Sequence, residues 1–184
     1  STWQADEEVL IEFINCSNSE LKYIIAPHEI KEENINRIES SLSVKSIRYS
    51  KKDGQVLQDY KVLIIDNIGM LSMLYQYGHI AYIGGAFGKN VHNILEAAVF
   101  GIPVIYGPNY LKFKEAIDLV EKGGAFSIKS SDDFKKRMEF ILADPYISRI
   151  AGEVSRAFVQ SSRGATGKIL QHIVANSKAK EVKL

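Results

Sequence analysis

The sequence predicts an α/β domain built on a doubly wound parallel sheet, and two observations carry that reading. Short apolar runs recur along the chain, separated by stretches with helical spacing of apolar residues. Most of those runs are apolar throughout, as strands are when helices cover both faces of a parallel sheet.

The elements follow in order. "ADEEVLIEFIN", residues 5–15, has acidic residues in its first turn and apolar ones at helical spacing, so it reads as a helix. "LKYIIAP", residues 21–27, is a β-branched and aromatic run stopped by proline, hence a buried strand. Ile30, Ile35, Ile38 and Leu42 form a sparse helical stripe. "VKSIRYS", residues 44–50, alternates with half its positions polar and predicts a strand near a sheet edge. After the turn 51–55 comes "KVLIID", residues 61–66, almost wholly apolar; then a helix over 69–77 and a strand over 79–85. "GIPVIYGP", 101–108, is the next strand, and 111–124 a helix ended by glycines. Residues 125–128 make a last short strand. Asp132 or Asp133 can cap the helix after it, Pro145 ends that helix, and two more helices fill 147–160 and 166–175.

Composition limits the function classes. A chain of 184 residues is one domain, or one domain with an appendage. The division expected is a domain over 1–176 and a polar tail, "SKAKEVKL", over 177–184. With 46% hydrophobic and 24% charged residues it is globular in type, and a formal net charge of +1 offers no electrostatic case for nucleic acid as a partner. The single cysteine, Cys16, rules out an internal disulfide framework, and as a nucleophile it would need a base beside it. No stretch approaches the ~20 apolar residues of a membrane-spanning helix. The polar, acidic start "STWQADEEVL" is not a signal peptide. There is no Cys/His cluster, and the pair Asp132-Asp133 reads as a helix cap, so no metal is expected.

In a doubly wound sheet, ligands bind outside the carboxyl ends of the strands. That rule selects Pro27-His28, residues 66–69, residues 84–93 and Gly107-Pro108. The stretch "GGAFGKNVHNILEAA", 84–98, is the most distinctive. Gly84 and Gly85 let the backbone approach a ligand closely, a helix start attracts anions, and Lys89 can add charge. Asn93 is a good N-cap residue with Glu96 three positions on, which is capping-box spacing. Glu96 can equally accept from two adjacent ribose hydroxyls. Spacing leaves both readings open, and His92 alone is ambiguous. The glycines follow a late strand, so this is not the dinucleotide fingerprint of dehydrogenases, and there is no Walker A lysine motif.

These residues resemble a known family. "YIGGAFGKNVHNILEAAVFGIPVIYGP", 82–108, is similar to the donor-binding region of the 3-deoxy-D-manno-octulosonic acid (Kdo) transferases: a Gly-Gly strand end, His-Asn-x-Leu-Glu, and a Gly-Pro after the next strand. "IIDNIGMLSMLYQYGHIAYIGG", 64–85, resembles the family's Asp-Thr-Met-Gly-Glu-Leu segment and the strand after it; "ST" at the start resembles its Gly-Ser-Thr, and "IIAPHE" its Pro-Arg-His segment. The match runs in order along most of the chain.

The resemblance implies a GT-B glycosyltransferase of two Rossmann-like domains, of which this chain is the carboxyl-terminal, donor-binding half. It implies CMP-Kdo as donor, a lipid A precursor as acceptor, inversion, no metal and no cofactor, at the cytoplasmic face of the bacterial inner membrane. By position, Ser1 and Thr2 would lie near the donor, Ile68, Gly69 and Met70 would contact the base through their backbone, and Asn93 and Glu96 would hold the phosphate and ribose region beside Gly84, Gly85 and His92. The family's general base lies in the other domain, so no catalytic residue is expected here and the chain alone should be inactive. Ile68-Gly69-Met70 stand where the family shows Met-Gly-Glu, so a contact from that glutamate is absent. "PHE" lacks the family's arginine, which moves a phosphate contact to His28; Asn90-Val91 replace glycines before His-Asn. The rival readings are a GT-B enzyme using a UDP-sugar, such as an undecaprenyl-linked transferase or a non-hydrolysing epimerase, and a non-catalytic nucleotide-binding module. The resemblance also places a strand upstream of Ser1. In the order 3-2-1-4-5-6 that strand would separate 21–27 from 61–66, so those two either pair directly or are joined by a segment from elsewhere. Phe158 and Ile169 are expected to be exposed or buried by self-association.

Overall fold

The structure, a computed structural model, describes residues 1–17, 19–162, 164, 169, 170, 172 and 173. The elements are α1 (Gln4–Cys16), β1 (Tyr23–Ile25), α2 (Glu32–Ser41), β2 (Ser46–Arg48), β3 (Val62–Ile64), α3 (Leu71–Leu74), β4 (Ala81–Ile83), α4 (Leu95–Ala98), β5 (Val104–Tyr106), α5 (Lys114–Glu121), β6 (Ala125–Ser127), α6 (Ser131–Ala143) and α7 (Pro145–Ser161). All strand pairs are parallel, and helices cover them. The fold class expected from the sequence is therefore present.

The ladders form two triplets, in the orders β1-β3-β2 and β4-β5-β6. The most apolar strand takes the centre of the first: Val62 and Ile64 of β3 are wholly buried, while the half-polar β2 lies at the edge. β1 pairs directly with β3, in the register Ile24 opposite Leu63, so the first of the two expected arrangements holds. β3 lies between β1 and β2, with no strand separating it from β1. Among the described residues the other edge of β1 carries no ladder, and only Thr2 bridges beyond it, at Pro27.

Alternate residues of the second triplet serve two cores, as the pleat requires. Val104 and Tyr106 pack with Ala97, Ala116 and Leu119 of α4 and α5, while Ile105 faces Phe134, Met138 and Ile141 of α6. Helix α1 bridges the triplets. Its Ile11 and Ile14 join Ile25, Ile35 and Val62, and its Val9 joins the Ile105 cluster.

Several expectations need correction. The helix over 69–77 is one α turn followed by a 3-10 turn, Tyr75–Tyr77. The helix after Asn93 is four residues long. Ser130, not Asp132 or Asp133, caps α6. Pro145 does follow the end of α6, as expected, and it also opens α7, where its missing N–H costs nothing and Asp144 is the cap. Phe158 is half-buried against the second triplet's core, not exposed; Ile169 is 59% exposed. Ile169, Leu170, His172 and Ile173 are helical; the rest of the helix expected over 166–175, and the tail 177–184, lie outside the described residues.

Candidate nucleotide-sugar site

The site begins with the way the first residues are pinned. Thr2 bridges Pro27 in parallel fashion: its N–H donates to Ala26 O at 3.0 Å, and His28 N–H donates to Thr2 O at 2.7 Å. Ser1 is thereby set beside His28 at the carboxyl end of β1. One turn on, Asp6 is completely buried and accepts three hydrogen bonds, from Trp3 N–H (2.9 Å), Tyr82 O–H (2.9 Å) and Gly85 N–H (2.8 Å). Burial, with the charge of Asp6, pushes the Tyr82 phenol far up.

The two glycines take their meaning from this contact. A Cβ on Gly84 would collide with Ser1 O, and would lie 2.8 Å from Asp6 Oδ2. Gly85 has φ +93°, a conformation side chains disfavour, and a Cβ there would meet Asn90 O. The Gly85 N–H serves Asp6 and is not open to a ligand. Beside Asp6, Glu7 is also buried; it accepts from Thr2 Oγ1 at 3.1 Å and pairs with Arg37. Burial raises its carboxyl above the ordinary range, against the pull of Arg37.

The chain from Gly85 returns through His92, whose N–H donates to Gly84 O at 3.0 Å. Its imidazole touches Trp3 Nε1 at 3.0 Å and Ser1 Oγ at 3.1 Å. Trp3 stacks on His28, with ring centroids 4.0 Å apart and planes at 28°. Asn93 then divides its amide between two tasks. Oδ1 accepts from Leu95 N–H at 3.1 Å and caps α4, while Nδ2 donates to Glu96 Oε1 at 3.0 Å. In a capping box Glu96 would reach back to the Asn93 backbone. Here it does not, and among the described residues its other oxygen makes no hydrogen bond.

That carboxylate lines a cavity of about 220 Å³. Ser1, His28, His92, Asn93 and Glu96 give it polar walls, and Leu71, Tyr75 and Ile83 the apolar remainder. Burial, with the charge of Glu96, pushes the Tyr75 phenol up to about 12. Of the residues the sequence singled out, Ser1, His28, His92, Asn93 and Glu96 come together in this lining. Thr2, Gly84 and Gly85 hold the frame. Ile68, Gly69 and Met70 do not line the cavity; Ile68 is 86% exposed, and Asn67 Nδ2 donates to Met70 Sδ. Lys89 is exposed and does not line it. Trp3, Asp6, Leu71 and Tyr75 were missed, although the single tryptophan beside "ST" was a signal. A larger cleft of about 340 Å³ lies between α1 and α6. Cys16 lines it together with Glu12, Lys135 and Glu139 but no histidine, so the cysteine lacks the base a nucleophile needs. Among the described residues no His, Cys, Asp and Glu side chains gather as a metal-binding group.

No family model matches the chain. It is 32% identical over 183 residues to the 3-deoxy-D-manno-octulosonic acid transferase of Rickettsia bellii, covering 94% of this chain and 43% of that one. It is 33% identical over 134 residues to the enzyme of the same name from Aquifex aeolicus, covering 71% and 36%. The chain is a relative of the Kdo transferases. It spans less than half the length of these two. In fold it matches the C-terminal CMP-Kdo binding domain of WaaA from Acinetobacter baumannii, with a TM-score of 0.74 at 23% identity over 87% of this chain and 86% of that one. A second match is the C-terminal domain of a glycosyl transferase group 1 family protein, LpcC, from Francisella tularensis, with a TM-score of 0.57 at 12% identity over 86% and 78%. The fold is thus that of the carboxyl-terminal half of a GT-B glycosyltransferase.

Proposed function

We propose that this chain is the donor-binding half of a Kdo transferase: it binds CMP-Kdo in the cavity at the strand ends, for transfer to a lipid A precursor. The observation that carries the reading is Glu96. Its carboxylate is not consumed by a helix cap, and Asn93 turns it to a cavity wall that also holds Ser1, His28 and His92. Kdo transferase relatives and the likeness to a CMP-Kdo binding domain favour that donor.

In this reading Glu96 accepts from the ribose hydroxyls with the oxygen that Asn93 leaves open, and the Ser1 hydroxyl and the imidazoles of His28 and His92 face the phosphate and sugar carboxylate. Tyr75 and Leu71 shield the apolar side of the cavity. In this reading the transfer uses no metal. The general base, the acceptor and the contact with the inner membrane's cytoplasmic face belong to the rest of the enzyme, so the chain alone binds and does not catalyse. No helix among the described residues is long and apolar enough to cross a membrane.

Calorimetric titration with CMP and with UDP tests this. CMP binds more tightly than UDP, and Glu96→Ala weakens CMP by about tenfold or more, the loss of a hydrogen-bonded charge of roughly 1.5–3 kcal/mol. Preference for UDP would move the assignment to an enzyme using a UDP-sugar. Unchanged CMP affinity in Glu96→Ala would remove the ribose contact.

A further inference from the structure

Trp3 stands outside the cavity lining, yet it touches two of the side chains that form it. An indole nitrogen can only donate, and Trp3 Nε1–H donates to His92 Nε2 at 3.0 Å. A ring nitrogen that accepts carries no proton, so the neutral imidazole holds its proton on Nδ1. Nδ1 lies 3.1 Å from Ser1 Oγ, which therefore accepts. The hydroxyl's own hydrogen is left to point away from His92. Within its reach are His28 Nδ1, at 3.4 Å, and the cavity. The indole is held in place by its stacking on His28 and by the Trp3 backbone N–H on Asp6, at 2.9 Å.

We propose that Trp3 is a positioning residue for the donor pocket: it fixes His92 in the Nδ1–H form, so that Ser1 offers its hydroxyl hydrogen to an anionic oxygen of the ligand. The proposal rests on the donor-site reading above. Without the indole, His92 takes the Nε2–H form that a free imidazole prefers. Nδ1 then accepts from Ser1 O–H and turns that hydrogen away from the cavity. A residue outside the pocket thus sets the direction of a hydrogen bond inside it.

Trp3→Phe separates this role from packing, because phenylalanine keeps the stack on His28 and loses only the N–H. In ¹⁵N-histidine NMR of the whole chain above neutral pH, the parent shows His92 protonated at Nδ1, and Trp3→Phe shows it protonated at Nε2. CMP affinity falls about fivefold in Trp3→Phe, the size of one hydrogen bond. Ser1→Ala lowers it by a similar factor, and the double variant is no weaker than Ser1→Ala alone, as expected for residues acting through one another. An unaltered His92 tautomer in Trp3→Phe overturns the proposal. So does a changed tautomer with equal CMP affinity in parent and variant. If the parent shows the Trp3-dependent tautomer but binds no CMP, the donor-site reading falls while Trp3's control of His92 and Ser1 stands.

Discussion

Asn93 makes two side-chain hydrogen bonds, and only one of them concerns the helix. Its oxygen caps α4 through Leu95 N–H and its nitrogen holds Glu96, so spacing alone left capping and ligand binding indistinguishable. Asn93→Asp separates them. Aspartate keeps the cap acceptor but sets a second negative charge against Glu96, a repulsion of about 1 kcal/mol between exposed groups. The expected result is CMP affinity lowered several-fold, with a melting loss of no more than roughly 2–4 °C; unchanged CMP affinity in Asn93→Asp beside a lower melt in Asn93→Ala would return the residue to a purely structural role. His92 gives a pH signature. Burial holds its imidazole below the ordinary value, with His28 adding to the effect. The folded protein therefore binds this proton less readily than the unfolded chain, and stability present above about pH 6.5 is lost as the pH falls below it. Melting curves of the parent and His92→Gln should converge as the pH is lowered from about 7.5 towards 5.5. A gap that widens would mean the histidine is charged in the fold.

Elements were legible where burial set the pattern, and less so where pairing or capping did. The run 61–66 reads as one long strand, yet β3 is three residues, and Ile65 beyond it is just as buried and still donates to Ile25 O at 2.8 Å. Hydrophobicity records the covered length, not the length of regular ladder. Helix starts show the same limit. Any of the residues 130–133 suits an N-cap by type. The geometry selects Ser130, whose Oγ accepts from Asp133 N–H at 3.2 Å, while Asp133 Oδ2 accepts from Lys129 N–H at 3.1 Å. Asp132 is exposed and takes no part. Ser130→Ala should cost about 1 kcal/mol, or roughly 2–4 °C in melting temperature for a chain of this size. Asp132→Ala should leave the melt unmoved. The reverse order of effects would restore the cap that the sequence first suggested.

At the scale of the molecule, the two strand triplets share no ladder among the described residues, and α1 with the few residues before it packs against both. This was the least legible feature, because its key side chain looked ordinary. An aspartate in a first helical turn is explained by the helix dipole alone. Nothing local reveals that Asp6 is buried and holds Gly85, 79 positions away. The same contact fixes the cavity wall, since Gly85 leads to His92 and Trp3 hangs from Asp6 by its N–H. Removing the carboxylate in Asp6→Ala leaves three donors short of a partner at about 1–3 kcal/mol each, so a loss of roughly 3 kcal/mol or more is expected. Asp6→Asn, which keeps one acceptor, should lose less and remain folded. If α1 is the coupling element, amide exchange in the parent should report one opening free energy for β3 and β5, as for a single cooperative unit. In Asp6→Asn the β5 side should open earlier than β3, because the bonds to Tyr82 and Gly85 belong to that half, while Thr2 and Glu7 still tie α1 to the other. Exchange that falls equally in both strands would show that the triplets are coupled by the apolar clusters instead, with Asp6 serving only to shape the loop at the cavity.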